Sequence, residues 1–216
     1  MDPSHSLSRP PLTRRDLLGA AALLAAGPGS ATLVGPASAA TAGRIGVVQE
    51  VVGDAFARGG SAERRLAAAA DLYLQDMVWT GTEARLAMKL GLATTVRLGA
   101  RSRLVIDRFI ADMGGVLDLA DGATLFDRPE EAPKVDVKMR SAYGVIAVRG
   151  TRFFAGPSRG VFGVFVERGA VTVAAAGVTR LLSAGEGTDI PAPGRPPSPV
   201  ARWGAPRIAE AMASVL

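Results

Sequence analysis

The sequence contains no cysteine and no asparagine, and its single histidine, His5, lies near the N-terminus. The absence of cysteine excludes disulfides, thiol catalysis, a lipoprotein anchor and thiolate metal sites. If the N-terminal segment is removed, a Ser-His-Asp triad, a Cys-His pair and a histidine-ligated zinc site are excluded as well. Only carboxylates, lysine, tyrosine, serine, threonine or a borrowed cofactor then remain for catalysis.

Net charge and chain length limit the number of domains and the class of partner. The 216 residues include 25 basic and 20 acidic side chains, which is short of the dense basic stripe of a nucleic-acid-binding protein. With 48% hydrophobic residues, the chain can bury one core without disulfides or metals. The composition therefore predicts one soluble domain with extensions and no nucleic-acid partner.

Residues 1–39 have the features of a targeting segment. Arg14-Arg15 precede a mildly apolar run, 17–26, and the segment is similar to a twin-arginine export signal. The alternatives are a leader without an address and an uncleaved anchor, but the run is about half of the ~20 apolar residues that span a bilayer. We expect cleavage after Ala39, with Ala37 and Ala39 as the small residues that the peptidase needs. The mature protein would then be periplasmic or extracytoplasmic, without a stable membrane span.

Residues 40–190 alternate apolar and polar side chains over short runs that end at glycine-bearing turns. Such spacing predicts an all-β fold of short antiparallel strands in a twisted sandwich or a solenoid-like arrangement. The clearest runs are Leu86–Leu90, Thr94–Leu98, Val135–Arg140, Val164–Val166 and Val171–Val173.

Two segments do not follow this pattern. Residues 62–77 are rich in alanine and fit a helix by propensity or a strand by alternation equally well. Residues 191–216 begin as a stiff proline-rich linker and end in a predicted short helix, Pro206–Val215. Trp203, just before that helix, is interpreted as a packing anchor and, as the alternative, as a ligand platform.

A set of motifs between residues 43 and 190 resembles the FecR-like domain of bacterial envelope proteins. Singly they are weak, and their order and spacing carry the resemblance. In chain order they are Ile45-Gly46-Val47-Val48, Val52-Gly53, Trp79-Thr80-Gly81, Leu98-Gly99-Ala100-Arg101-Ser102-Arg103-Leu104, Arg149-Gly150-Thr151, Gly169-Ala170-Val171-Thr172-Val173 and Gly185-Glu186.

The resemblance implies an all-β fold and a non-catalytic role in the envelope, where signalling members sense a partner protein and relay a receptor's state to a sigma factor. Those members carry a sigma-binding segment and a membrane helix before this domain. Neither is found in this sequence, so we expect a stand-alone, exported protein without direct anti-sigma activity.

Arg149-Gly150-Thr151 is the foremost candidate site. A guanidinium beside a flexible glycine could hold a carboxylate. In the favoured structural interpretation, Gly150 permits a bulge or sharp bend, Thr151 restarts the strand pairing and Arg149 pairs internally.

Other side chains have competing interpretations. Asp118, Asp121 and Asp127 around Gly122 suggest calcium, but their spacing does not fit a calcium loop and agrees with ordinary turns. A group of arginines suggests a face for anionic polymers or lipid head groups, or simply scattered solvated charge. They are Arg101, Arg103, Arg108, Arg152 and Arg159. The four aromatic residues Phe153, Phe154, Phe162 and Phe165 are predicted to lie in the core.

Three functions compete on this evidence. We favour a non-catalytic periplasmic binding or regulatory module that docks an envelope protein or ligand, with no cofactor and no metal. The alternative is a structural protein associated with cell-wall glycan, which needs an exposed aromatic row. Its candidates are Tyr73, Trp79, Tyr143 and Trp203. An enzyme with paired carboxylates is disfavoured, because nothing in the sequence marks a cleft around its candidates. Those are Asp107 with Asp112, and Glu130 with Glu131.

Overall fold

The computed structural model describes residues 43–110, 114–148 and 150–216, and in these ranges the chain forms strands and one helix, α1 (Ala205–Ala213). The strands are β1 (Arg44–Val52), β2 (Ala55–Gly59), β3 (Ala62–Arg65), β4 (Asp71–Tyr73), β5 (Met77–Thr80), β6 (Arg85–Leu90), β7 (Thr94–Leu98), β8 (Arg103–Ile110), β9 (Gly114–Asp121), β10 (Thr124–Asp127), β11 (Asp136–Ser141), β12 (Gly144–Val148), β13 (Arg152–Ser158), β14 (Val161–Arg168), β15 (Ala170–Ala175), β16 (Val178–Ser183), β17 (Glu186–Ile190) and β18 (Ala201–Arg202). The predicted all-β class with a short C-terminal helix is confirmed.

The strands build two nine-stranded sheets. The first sheet has the order β18-β17-β14-β13-β10-β7-β6-β1-β4, and the second has the order β16-β15-β12-β11-β9-β8-β5-β2-β3. Neighbouring strands in the described residues are antiparallel, except that β9 and β11 run parallel from Asp136 opposite Gly114 to Ser141 opposite Leu119.

The chain passes repeatedly from one sheet to the other. From β6 onwards, the hairpins β6–β7, β13–β14 and β17–β18 and the strand β10 belong to the first sheet, while the hairpins β8–β9, β11–β12 and β15–β16 belong to the second. Side chains of both sheets share one apolar cluster, so the arrangement is the sandwich of the two predicted alternatives.

The main core lies between the two sheets, and the alternation in the sequence predicts its side chains. Along β11, Val137 and Met139 are buried while Lys138 and Arg140 are exposed. Inward-facing side chains of both sheets form one continuous apolar cluster. Successive residues of a strand point to opposite faces. Placing the apolar side chains in the core therefore also fixes the register of each strand.

The ambiguous segment 62–77 contains no helix: it holds β3, β4 and the first residue of β5, joined by turns, so the strand alternative is correct for these parts. β3 pairs with β2 and β4 pairs with β1, while Ala67–Ala70 form the turn between them despite their helical propensity. Asp76 is fully buried, receives the backbone N–H of Tyr73 at 2.8 Å and pairs with Arg64. The buried carboxylate therefore fixes the turn between β4 and β5, where Gln75 has a φ of +67°.

The C-terminal helix is confirmed, as Ala205–Ala213, and it covers the outer face of the first sheet. Val215 is buried, and Ile208 and Met212 pack against the same cluster. The proline-rich segment before it is fastened to β17, since the Ser198 N–H donates to the Asp189 carbonyl at 2.9 Å. In the part of the chain that the structure describes, no helix has the length and apolarity to cross a membrane.

Candidate binding surfaces

The Gly150-Thr151 corner joins β12 of the second sheet to β13 of the first. Its neighbour Arg149 lies outside the described residues, as do the predicted signal residues Arg14 and Arg15 and the predicted cleavage residues Ala37 and Ala39. Gly150 has a φ of +63°. At the next crossover Gly169 has a φ of +81°, and a Cβ there would lie 2.7 Å from Cγ2 of Thr151 and 2.8 Å from the Gly150 carbonyl oxygen. The two crossovers therefore pack together at a distance that only glycine permits.

Thr151 is fully buried and continues the pairing of β10 with β13. Its carbonyl accepts the Arg128 N–H at 3.0 Å, one residue beyond the pair of Asp127 with Arg152. Its hydroxyl oxygen has no hydrogen-bond partner in the described structure. Gly150 and Thr151 thus take part in the backbone geometry of the corner, and the internal pairing of Arg149 stays a prediction.

Arg128 is the largest fully buried polar side chain in the described residues, at 2% exposure. Its guanidinium donates to the Pro133 carbonyl from Nε at 3.1 Å and from Nη2 at 2.7 Å, and to the Thr94 hydroxyl at 2.9 Å. An arginine donates through five N–H groups in a fixed plane, so one side chain ties the loop after β10 to β7.

Asp127 connects two further arginines beneath this corner. It accepts a hydrogen bond from Arg152 and another from Arg168, both at 2.8 Å, and Arg152 also donates to Glu167 at 2.7 Å. Burial alone would lower the pKa of Arg152, but the hydrogen bonds and charges of Glu167 and Asp127 outweigh it and raise that pKa. Arg152 and Arg168 are therefore engaged in ion pairs within the protein.

The three predicted aspartates are not brought together. Asp118 and Asp121 lie on β9 of the second sheet, whereas Asp127 lies on β10 of the first. Asp118 pairs with Arg140 at 2.5 Å, and its hydrogen bond is the largest of the causes that raise the pKa of that guanidinium. Among the described residues, no group of three or more potential metal ligands is found.

The predicted arginine face is also dispersed. Arg103 and Arg108 lie on β8, Arg152 lies on β13, and Arg159 lies in the turn between β13 and β14. Arg159 holds Glu210 of α1 through two hydrogen bonds of 2.9 and 3.0 Å, and Arg101 is exposed in the crossover after β7.

The four phenylalanines are buried as predicted, with exposures of 0% for Phe153 and Phe154, 5% for Phe162 and 3% for Phe165. Trp203 is a packing anchor, also as predicted. Its ring stacks on Phe165 at 5.2 Å between centroids, and the Arg207 guanidinium lies 3.6 Å above it.

The aromatic row needed for glycan binding is not formed. Trp203 is buried under α1, and Tyr143 stacks on Phe162 at 4.4 Å. Tyr73 lies beneath the Arg64 guanidinium, so Trp79 is left as a single platform.

One surface cluster was not predicted from the sequence. On the outer face of the second sheet, Phe56 stacks on Trp79 at 5.6 Å and the Arg58 guanidinium lies 5.6 Å from the Trp79 ring centre. Arg103 is opposite Trp79 on β8. We call Phe56, Arg58, Trp79 and Arg103 the aromatic–arginine face. The Phe56-x-Arg58 spacing, which puts both side chains on one face of a strand, is the signal that could have revealed it.

Two of the cavities that the described residues line are large enough to consider as binding sites. One of about 200 Å³ adjoins the start of α1, where Arg207 is held by Asp189 at 2.6 Å. The other, about 440 Å³, is a groove beside Arg85, Pro157 and Ser214. The carboxylates Glu130 and Glu131 line neither one, and Asp112 lies outside the described residues.

Comparison with known proteins gives a family match over part of the chain and a likeness of fold. Residues 76–172 match the FecR family, described as FecR protein. Two crystal structures of a proposed anti-sigma factor from Parabacteroides distasonis align with TM-scores of 0.52 and 0.51 at 16% and 17% identity. Each alignment covers 62% of this chain, and the chain spans 62% of the length of that protein. At this identity the likeness concerns the fold alone. No curated protein shows significant similarity to the sequence.

Proposed function

Residues 76–172 match the FecR family, and from this premise we propose that the chain is an exported, non-catalytic regulatory module that docks another protein of the cell envelope. The FecR match supports a regulatory class of protein. In this proposal the chain works by binding.

The export part of the proposal rests on the leader. Arg14-Arg15, the short apolar run after them and the small residues Ala37 and Ala39 are the features that support it. Replacing Arg14 and Arg15 together by lysine keeps the charge and removes the guanidinium pair. We expect the variant to stay inside the cell, whereas the native chain is recovered outside the cytoplasm with a new N-terminus at residue 40. Equal export of both chains would contradict this route.

The observation that carries the docking part is the difference between the two outer faces. On the first sheet α1, Trp203 and Val215 cover the apolar side chains. On the second sheet the aromatic–arginine face leaves Trp79 half-buried and Arg58 exposed. Tryptophan and arginine are the residue types that dominate protein-binding hot spots, because they combine a large apolar area with polar groups. The acidic side chains beside them, Glu63 and Asp54, already pair with Arg58 and Arg65.

The test is a crosslinking pull-down with the full chain produced in its native envelope. We expect one envelope receptor or signalling protein to be recovered, and the variant Arg58→Glu to lose it. Arg44→Glu is the matched control, because Arg44 is also an exposed arginine with one ion pair, to Asp71, but lies on the first sheet. Recovery of peptidoglycan or lipopolysaccharide without any protein would refute docking and favour the glycan-associated alternative.

A further inference from the structure

The four edge strands of the two sheets are not equally protected. On the first sheet, β18 has two residues and β4 has three. On the second sheet, β3 has four residues, and Glu63, Arg64 and Arg65 give it charge. The opposite edge, β16, has six residues and a single charged side chain, Arg180. Short length and several charges are the usual means that prevent an edge from pairing with another chain, and β16 is longer than the other three edges and has one charge.

Arg180 does not protect this edge, because it is engaged elsewhere. Its Nε donates to the Ser198 carbonyl at 3.3 Å, and it lies on the same side of the strand as the buried Leu182. The side chains on the other side are uncharged, namely Thr179, Leu181 and Ser183, and Leu181 is 64% exposed.

The backbone of β16 also presents free groups at this edge. The hairpin β15–β16 turns at two residues, and Ala175 opposite Val178 is its closing pair. In such a hairpin the closing pair is hydrogen-bonded and every second pair is not. Thr179 and Leu181 consequently direct N–H and C=O groups away from β15, and no described backbone group bonds to them. The Ser183 N–H is taken by the Glu186 carboxylate at 2.8 Å, which ends the free stretch.

An uncharged surface continues from the edge across three strands. Val145 of β12, Ala174 of β15 and Thr179 of β16 form one cross-strand row. The parallel row consists of Ala147, Thr172 and Leu181. All six side chains are half-buried or exposed on the outer face. The next strand, β11, brings charge again through Lys138 and Arg140.

We propose that two copies of this chain associate by antiparallel pairing of their β16 strands, which would join two second sheets across a twofold axis. A neutral edge gives an acidic or basic partner nothing to recognise, whereas two chains with a formal charge of +5 each can meet here without like charges in contact. With Leu181 on the axis, each Leu181 faces Leu181 of the second copy, and the Arg180 side chains are not opposite one another. The interface is self-complementary, as a twofold dimer requires.

This association does not depend on the docking proposal, because the aromatic–arginine face lies at the other end of the second sheet. A chain that dimerises without binding an envelope protein, or the reverse, would separate the two.

The experiment measures the dissociation constant of the full chain by analytical ultracentrifugation at micromolar concentrations. We expect a dimer, and Leu181→Lys should weaken it at least about tenfold, since like charges would lie directly opposite. Leu92→Lys is the matched control, because Leu92 is 74% exposed in the turn between β6 and β7, and it should leave the dimer unchanged.

A second variant and a second readout separate loss of pairing from loss of folding. Thr179→Pro removes an outward N–H that β15 does not use, so the fold should persist while the dimer weakens. In the native chain, amide exchange in residues 178–183 should slow as concentration rises. A native chain that stays monomeric at all concentrations would overturn the proposal, as would a dimer that both β16 variants leave intact. A monomer whose β16 binds an extended segment of another protein would likewise replace it.

Discussion

Thr151 buries a hydroxyl that has no hydrogen-bond partner, and we expect Thr151→Val to stabilise the protein. A hydroxyl withdrawn from water without compensation costs about 1–3 kcal/mol in proteins. Valine keeps a methyl group in place of Cγ2, which lies close to Gly169, and removes the unsatisfied oxygen. The free energy of unfolding should therefore rise by about 1 kcal/mol, the lower end of that range.

Thr94 supplies a control for the same substitution. It is equally buried, but its hydroxyl accepts a hydrogen bond from Arg128 at 2.9 Å. Thr94→Val removes this acceptor of a buried guanidinium, which costs about 1–3 kcal/mol. The two variants should thus differ by at least ~2 kcal/mol, or about 4–8 °C in melting temperature for a chain of this size.

Urea and thermal unfolding followed by circular dichroism measure both variants. If Thr151→Val is destabilised as much as Thr94→Val, the hydroxyl of Thr151 has a partner and the reasoning is wrong. If it keeps its stability but loses the protein recovered in the pull-down, the motif has a binding role that the structural interpretation denies it.

Three further predictions concern the helix and the glycine corner. Trp203→Ala should cost ~3–5 kcal/mol in urea unfolding, because it empties the centre of the cluster under α1, and a loss below ~1 kcal/mol would contradict that role. The hydrogen bond from Arg159 lowers the pKa of Glu210, so the stabilisation from this pair exists above the unfolded pKa and is lost as pH falls through the folded value. An NMR titration should show the lowered midpoint and its return towards the ordinary value in Arg159→Gln, and an unchanged midpoint would refute the coupling. Gly150→Ala should cost about 1–2 kcal/mol for its left-handed backbone, whereas Gly169→Ala should cost more because its Cβ collides with Thr151; equal losses would contradict the packed corner.

The strands were predictable wherever one face alone is buried. Val137 and Met139 are core, and Lys138 is exposed, because a strand turns successive side chains to opposite sides. The terminal helix was predictable for the corresponding reason, since Ile208 and Met212 recur at helical spacing. These signals are local, so a single sequence contains them.

What the sequence did not reveal depends on pairing between distant residues. Residues 62–65 and 71–73 become strands because β2 and β1 pair with them, and the run of alanines between them, which turns, gives no sign of it. Phe56 meets Trp79 only through the pairing of β2 with β5. Arg128 is buried because Thr94 and the Pro133 carbonyl receive its donors, whereas an arginine in a sequence is ordinarily assigned to the surface.

Because α1 follows the described strands in the chain, the outer face of the first sheet is synthesised before the residues that cover it. The apolar side chains of Leu125, Phe154 and Phe165 pack against Trp203 and Val215, which are translated later. Until those two residues are made, the growing chain exposes an apolar patch of the kind that chaperones and proteases recognise. If the protein is exported already folded, as we propose, docking of α1 would distinguish a chain translated past Val215 from a shorter one before export.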